Sequence, residues 1–301
     1  MKKNEKKSAI ECDVTSTIQN EFSKLSKGQK LIAKYILANY EKAAFMTAAV
    51  LGDTVGVSES TVVRFADALG YDGYPELQNA LQDLIKIKLT TVQRVEMSEY
   101  SSDAGILQKV LKSDISNING TMRDINSKAF TNVIDMILKA KKIYIVGLRS
   151  SATISEYLAF YLNFILENVV LVQYGVSDVF EQILKVEEDD LVIGISFPRY
   201  SKRTFELLKY AKDKKSHIVA ITDSFISPIS TLAEETIIAK SNMASFVDSL
   251  VAPLSVANAL IVSIGMRKRN EIKGYFDRLE DIWEQYQIYD LYLKVLRIAL
   301  R

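Results

Sequence analysis

Between residues 143 and 239 the chain carries five short aliphatic and β-branched runs: Ile143–Gly147, Val169–Val172, Leu191–Ile195, 218–221 and 236–239. Four or five apolar residues in a row are too few for a buried helix and leave no polar side for water. Such runs, separated by amphipathic stretches, predict strands of a parallel sheet covered on both faces. Each parallel connection needs a crossover, and the intervening stretches can supply it as helices. The expected fold is α/β: a doubly wound, parallel, five-stranded domain over 128–268.

The sequence ahead of that domain is patterned differently. Residues 15–90 hold short helical patterns and tight turns, with no strand-like alternation, so an all-helical domain is expected over 1–90. Ser26-Lys27-Gly28-Gln29 has the form of a capping box, and Leu31, Ile32, Tyr35 and Ile36 follow at helical spacing. A second helix should open near Thr47 and run through Leu51. Gly56 suits a left-handed turn, Val57 a core plug, and Ser58 the cap of a third helix that Gly70 stops. Val62, Phe65, Ala66 and Leu69 form its inward stripe, which leaves Ser60, Thr61 and Arg64 outside. These positions lie near the helix end that enters the major groove in a helix-turn-helix, so Ser58, Ser60, Thr61 and Arg64 are the DNA-binding candidates. The plainer alternative is a small helical bundle whose outer residues only keep it soluble. Charge does not decide, because the first ninety residues are almost balanced. Phosphate contacts would come from Lys24, Lys27, Lys30 and Lys34 and from dimerisation.

This region resembles the DNA-binding domain of the MurR/RpiR regulators. The likeness is carried by Leu25-Ser26, Ile32-Ala33, Tyr35-Ile36-Leu37, the segment Gly56-Val57-Ser58-Glu59-Ser60-Thr61-Val62-Val63-Arg64-Phe65, and Leu69-Gly70-Tyr71 with Gly73-Tyr74. Gly52 departs from it, standing in the second helix where a helix-former is usual, and is expected to loosen that helix.

In a doubly wound sheet, ligands collect at the carboxyl ends of the strands, where helix N-termini offer free N–H groups to anions. Two loops have that position: Gly147-Leu148-Arg149-Ser150-Ser151 after the first strand and Ser196 to Thr204 after the third. Hydroxyls of Ser150, Ser151, Ser201 and Thr204 are expected to converge on one phosphate or carboxylate, with ordinary helix capping as the alternative. The layout resembles the sugar-isomerase (SIS) domain of phosphosugar isomerases and of the sensor half of MurR/RpiR regulators. That resemblance implies a small anionic ligand, with a phosphosugar as its usual form. It adds Ser196 to the ligand-binding candidates, and Arg149 joins them on its own charge. Arg149 stands where the family's Gly-x-Gly-Ser-Ser has its second glycine, and Lys202 replaces the glycine of Ser-x-Ser-Gly-x-Thr. Arg149 would grip an anion with two parallel hydrogen bonds, or serve as a surface ion-pair residue.

Other function classes find little support. The single histidine, His217, sits at the start of a strand, Cys12 is the single cysteine, and no ligand-spaced cluster suggests a metal or cofactor. Glu156 and Glu181 lie near the proposed site, but nothing marks either as an acid/base. A sugar-phosphate isomerase-like enzyme with an accessory helical domain therefore stays the alternative, and a regulator with an empty site the third reading. The acidic run 187–190 is expected to be a solvated turn. Lys2, Lys3, Lys6 and Lys7 are followed by Glu11 and Asp13 rather than a signal-peptide core, and the uncharged run 249–266 contains Pro253 and Asn258. The expectation is a cytoplasmic protein with no membrane partner. Residues 91–127, with Ser98, Ser101, Ser102 and Asp103, form the expected linker and connecting helix. The tail 269–301 carries a stripe of Tyr275, Phe276, Leu279, Ile282, Trp283, Tyr286 and Tyr289 that would pack on its own domain or join two copies. The whole reads as a homo-oligomer, dimer or tetramer, that binds double-stranded DNA and responds to a small anion.

Overall fold

The computed structural model describes residues 14–88, 90–96, 102–175, 177–244 and 246–289. Cys12, the N-terminal lysines, Ser98, Ser101 and the end of the aromatic tail lie outside them. Five helices come first: α1 (Val14–Glu21), α2 (Lys27–Ala43), α3 (Ala48–Val55), α4 (Glu59–Ala68) and α5 (Gly73–Lys88). Helix α2 opens on the full capping box, with Ser26 Oγ accepting from the Gln29 amide and Gln29 Oε1 from the Ser26 amide. Thr47 caps α3, and Gly56 ends it at φ 77°. Ile32, Ile36, Leu51, Val62, Phe65, Leu77 and Leu81 are fully buried between these helices. Each such side chain contributes about 1.5–3 kcal/mol by leaving water. Helix α5 also closes the bundle with polar groups: Tyr74 and Gln78 donate to the Met46 carbonyl and Gln82 to that of Ala44. Burial pushes the Tyr74 hydroxyl up to about 12, so it remains a donor at any physiological pH.

Gly52 has a packing role that its place in α3 did not signal. A Cβ there would meet the Val57 carbonyl oxygen at 2.8 Å and the Glu59 amide nitrogen at 3.3 Å. The turn folds directly onto this glycine, with the Val57 amide bonded to the Gly52 carbonyl at 2.9 Å.

The described part of the stretch expected as a linker and connecting helix holds α6 (Thr91–Glu96) and the 22-residue α7 (Asp103–Asp124), before α8 (Ser127–Lys139). The α/β part follows: β1 (Ile143–Gly147), α9 (Ala152–Ile165), β2 (Val169–Val172), α10 (Val179–Gln182), β3 (Leu191–Ile195), α11 (Lys202–Asp213), β4 (His217–Thr222) and β5 (Glu235–Ile238). Helices α12 (Val251–Arg267) and α13 (Arg269–Gln285) end it. All neighbouring strands pair in parallel, in the order β2-β1-β3-β4-β5. Alternate side chains of the buried strands divide between two layers. Ile143, Ile145, Ile193 and Ile221 join α8, α9 and α12, whereas Tyr144, Val146, Val192 and Ala220 join α10 and α11. The uncharged run 249–266 is mostly α12, whose Val256, Leu260 and Ile264 are core residues. No helix among the described residues is long and apolar enough to cross a membrane.

One expectation about the sheet's amino edge needs correction. The run 187–190 is not wholly solvated: Asp190 is buried, and its carboxylate accepts from the Glu187 amide at 2.9 Å. The turn needs that acceptor because it leads straight into β3, and the Asp190 carbonyl also accepts from the His217 amide.

Candidate functional site: an anion cavity and a recognition helix

Strand order places the first site. The chain runs from β1 outward to β2, then returns to the other side of β1 for β3, so the loops after β1 and β3 diverge and leave a crevice. A cavity of about 610 Å³ opens there, within the range of small-molecule sites. Arg149, Ser150 and Ser151 line it from the first loop, and Ser196, Ser201 and Lys202 from the second. Thr204 is not among the lining residues. It is fully buried, and its expected convergence with Ser150, Ser151 and Ser201 does not occur. The reason is local: Thr204 lies inside the first turn of α11, where its own amide donates to Ser201 Oγ at 3.2 Å.

Hydrogen bonds set the second loop. Ser196 Oγ accepts from the Ser201 amide at 3.2 Å, so the loop closes on itself before α11 begins. Lys202 needs no glycine-like backbone, since the left-handed residue of this loop is Arg199, at φ 63°. In the first loop the left-handed residue is Arg149, at φ 59°. That is the position where the family pattern has glycine. A side chain held in this conformation costs about 1–2 kcal/mol, and both arginines so held line the same cavity. The Ser151 hydroxyl makes no capping bond to α9. Among the described residues none pairs with the Arg149 guanidinium, whereas Arg203 is held by Asp178 at 2.8 Å and lies over the Phe180 ring.

Four further lining residues had no signal in the sequence: Arg94, Tyr174, Phe246 and Asp248. Arg94 comes from α6, and its guanidinium meets Asp248 at 3.0 Å. Asp248 is the one carboxylate among lining residues that include Arg94, Arg149, Arg199, Lys202 and Arg203, so cationic groups outnumber anionic ones there, although Lys202 is also paired, with Glu206 at 3.7 Å. Glu156, Glu181 and His217 do not line it. Glu181 completes the capping box of α10 with Asp178, and His217 pairs with Glu234 at 2.9 Å at the amino ends of β4 and β5.

The second site is the start of α4. Ser58 occupies the N-cap, but its hydroxyl does not cap the backbone; it bonds the Ser60 hydroxyl at 3.0 Å and that of Thr61 at 2.9 Å. Arg64 folds back along the helix, with Nε on the Ser60 carbonyl at 3.1 Å. Ser58, Ser60 and Arg64 are exposed. Thr61 is half-buried, with its methyl turned toward Gly28 of α2, so it is less free than its helical position suggested.

Two family models match separate parts of the chain. The model of the rpiR-family helix-turn-helix domain matches residues 12–87, and that of the SIS domain matches 136–263. The HTH-type transcriptional regulator HexR of Pseudomonas aeruginosa is 22% identical over 272 residues, covering 88% of this chain and 93% of its own. Among solved structures, the sugar isomerase domain of an RpiR transcription factor from Sphaerobacter thermophilus matches with a TM-score of 0.56 at 24% identity, over 58% of this chain and 98% of that one. The NanR protein of Vibrio vulnificus, complexed with ManNAc-6P, matches with a TM-score of 0.55 at 20% identity, over 90% of this chain and 98% of its own.

Proposed function

The chain belongs to the rpiR family of transcriptional regulators, with an N-terminal helix-turn-helix and a C-terminal SIS domain, and from that premise we propose that the cavity between β1 and β3 senses a phosphorylated sugar. The observation that carries the reading is the pair of left-handed arginines, Arg149 and Arg199, on the two loops that flank a cavity with a single carboxylate. Strain of this kind clusters at ligand sites, and Lys215 and Gln287 share the conformation away from the cavity. Ser150, Ser151, Ser196 and Ser201 supply hydroxyls to the same space, and the NanR structure holds a sugar phosphate. Sensing is favoured over turnover, because neither Glu156, Glu181 nor His217 lines the cavity, and the relative named above is a regulator.

Arg149→Gly tests the reading by moving stability and affinity in opposite directions. Glycine relieves the left-handed backbone but adds freedom to the unfolded chain, so the variant should be more stable by about 0.5–1 kcal/mol. Its affinity for a hexosamine or aldose phosphate should fall at least tenfold, because a charge-assisted hydrogen bond contributes about 1.5–3 kcal/mol. Calorimetry against sugar phosphates and small carboxylates, with thermal unfolding alongside, reads both. Sugar phosphates that bind wild type and variant alike would place the ligand elsewhere.

On the DNA side we propose that Ser58, Ser60 and Arg64 face the major groove, with Thr61 at the edge of that surface. Arg64→Ala should weaken binding to a mapped operator by about 1–3 kcal/mol, read by gel shift at fixed salt. Unchanged affinity would move the recognition surface off α4. We also propose a cytoplasmic homo-oligomer, at least a dimer, because one near-neutral helix-turn-helix makes few phosphate contacts and two linked half-sites raise affinity through effective concentration. The exposed Phe160 and Tyr161 of α9 offer a self-association surface. Light scattering should return at least twice the 33.9 kDa chain mass.

A further inference from the structure

The cavity is not built by the α/β domain alone. Its Arg94 belongs to α6, the short helix that follows the last helix of the DNA-binding bundle. The Arg94 side chain is 2% exposed and that of Asp248 18%, and both line the cavity. We propose that Arg94 is a ligand-contacting residue lent by the DNA-binding side, and that its pair with Asp248 reports occupancy of the cavity to the helices leading to α4. This inference rests on the anion-site reading above.

Electrostatics gives the direction. The Asp248 carboxylate neutralises Arg94. An anion in the same cavity is repelled by Asp248 and attracted by Arg94, so binding redistributes the guanidinium between the two acceptors. The Arg94 side chain is almost wholly buried, so its charge is screened less than one at the surface. A shift of the buried Arg94 side chain bears on α6, the helix that carries it.

Asp248 is firmly based, which makes Arg94 the side that yields. The segment carrying Asp248 is tied to α7 at several points. Asn117, fully buried, donates to the Asn242 carbonyl at 2.8 Å and accepts from the Asn242 amide at 2.9 Å. The Lys240 amide donates to Thr121 Oγ1 at 2.8 Å, and the hydroxyl of Ser249, next to Asp248, donates to Asp114 at 2.6 Å. Helix α6 is only six residues long, and its Arg94 reaches this segment by donating to the Asp248 carboxylate at 3.0 Å.

The test uses the full chain and inorganic phosphate as the probe, with calorimetry and amide hydrogen exchange. Asp248→Asn keeps the shape and an acceptor but removes the opposing charge, so phosphate should bind about tenfold tighter. Arg94→Met should bind it about tenfold more weakly, and Arg94→Lys should recover part of that loss. Saturating phosphate should change exchange of the 90–96 amides in wild type and leave them unchanged in Arg94→Met. If Arg94→Met fails to fold, Asp248→Asn decides alone, since the expected result is a gain. Phosphate that binds wild type, Asp248→Asn and Arg94→Met equally, yet more weakly to Arg149→Gly, would overturn the role of Arg94 and leave the anion site standing. No phosphate binding to any of them would overturn both.

Discussion

Replacing Gly147 with alanine should destabilise the α/β domain by about 3 kcal/mol, the upper end of overpacking costs, and abolish anion binding with it. Gly147 is the last residue of β1, where the strand turns into the cavity loop. A Cβ at this position would lie 2.0 Å from Ser155 Oγ, 2.8 Å from the Ser151 carbonyl oxygen and 3.3 Å from Ile195 Cβ. The serine hydroxyl can rotate away. The carbonyl cannot, because it belongs to the backbone joining the loop to α9 and accepts from the Ser155 hydroxyl. The loop must therefore lift, taking Arg149, Ser150 and Ser151 with it. Urea unfolding read by hydrogen exchange of the β1 and α9 amides reports on this domain. Ser155→Ala alone should cost no more than about 1 kcal/mol. In the Gly147→Ala background it should restore only part of the loss. Full restoration would show that the side chain, rather than the backbone approach, sets the constraint.

Much of this architecture was legible in the sequence because burial leaves a direct mark. The strand runs are continuous since both faces of the sheet are covered, and the structure moves their ends by only a residue, with β4 starting at His217 and β5 at Glu235. The helix-turn-helix was legible through chemistry specific to position: the Ser26–Gln29 box, the Gly56 turn and the stop at Gly70. The cavity loops were found because their place in a doubly wound sheet is fixed by topology. What could not be read is pairing across long separations. Arg94 and Asp248 are 154 residues apart, and neither sits in a pattern that sets it apart from a solvated charge. Burial of single polar residues was equally silent. Thr204 and Asp190 stand among polar neighbours, and only the packing of α11 and the turn before β3 turns them inward. Close approach of two backbones leaves just a glycine behind, and a glycine inside a helix also has the simpler reading of a weak point.

Gly52 separates those two readings by the sign of one measurement. Were it only a weak point in α3, alanine would stabilise the helix by about 1 kcal/mol. The structure predicts the reverse, a net loss of about 2 kcal/mol, since the methyl would overlap the Val57 carbonyl and crowd the Glu59 amide. Neither neighbour can give way cheaply: both are backbone, and the turn between them is fixed by the Val57 and Thr61 amides bonding to Gly52 and Ser58. The movement falls on the start of α4, where Ser58, Ser60 and Arg64 stand, so operator affinity should drop by more than the stability loss alone would cause. Native-state hydrogen exchange of the α3 and α4 amides is the suitable measurement, since it reads these two helices directly. Gly28→Ala is the matched control. Its nearest neighbour is the Thr61 methyl at 3.3 Å, a side-chain atom able to shift, so it should stay within about 0.5 kcal/mol of wild type. Slower exchange in Gly52→Ala with operator affinity intact would mean that the turn tolerates a methyl, and that the approach of α3 to α4 does not set the recognition surface.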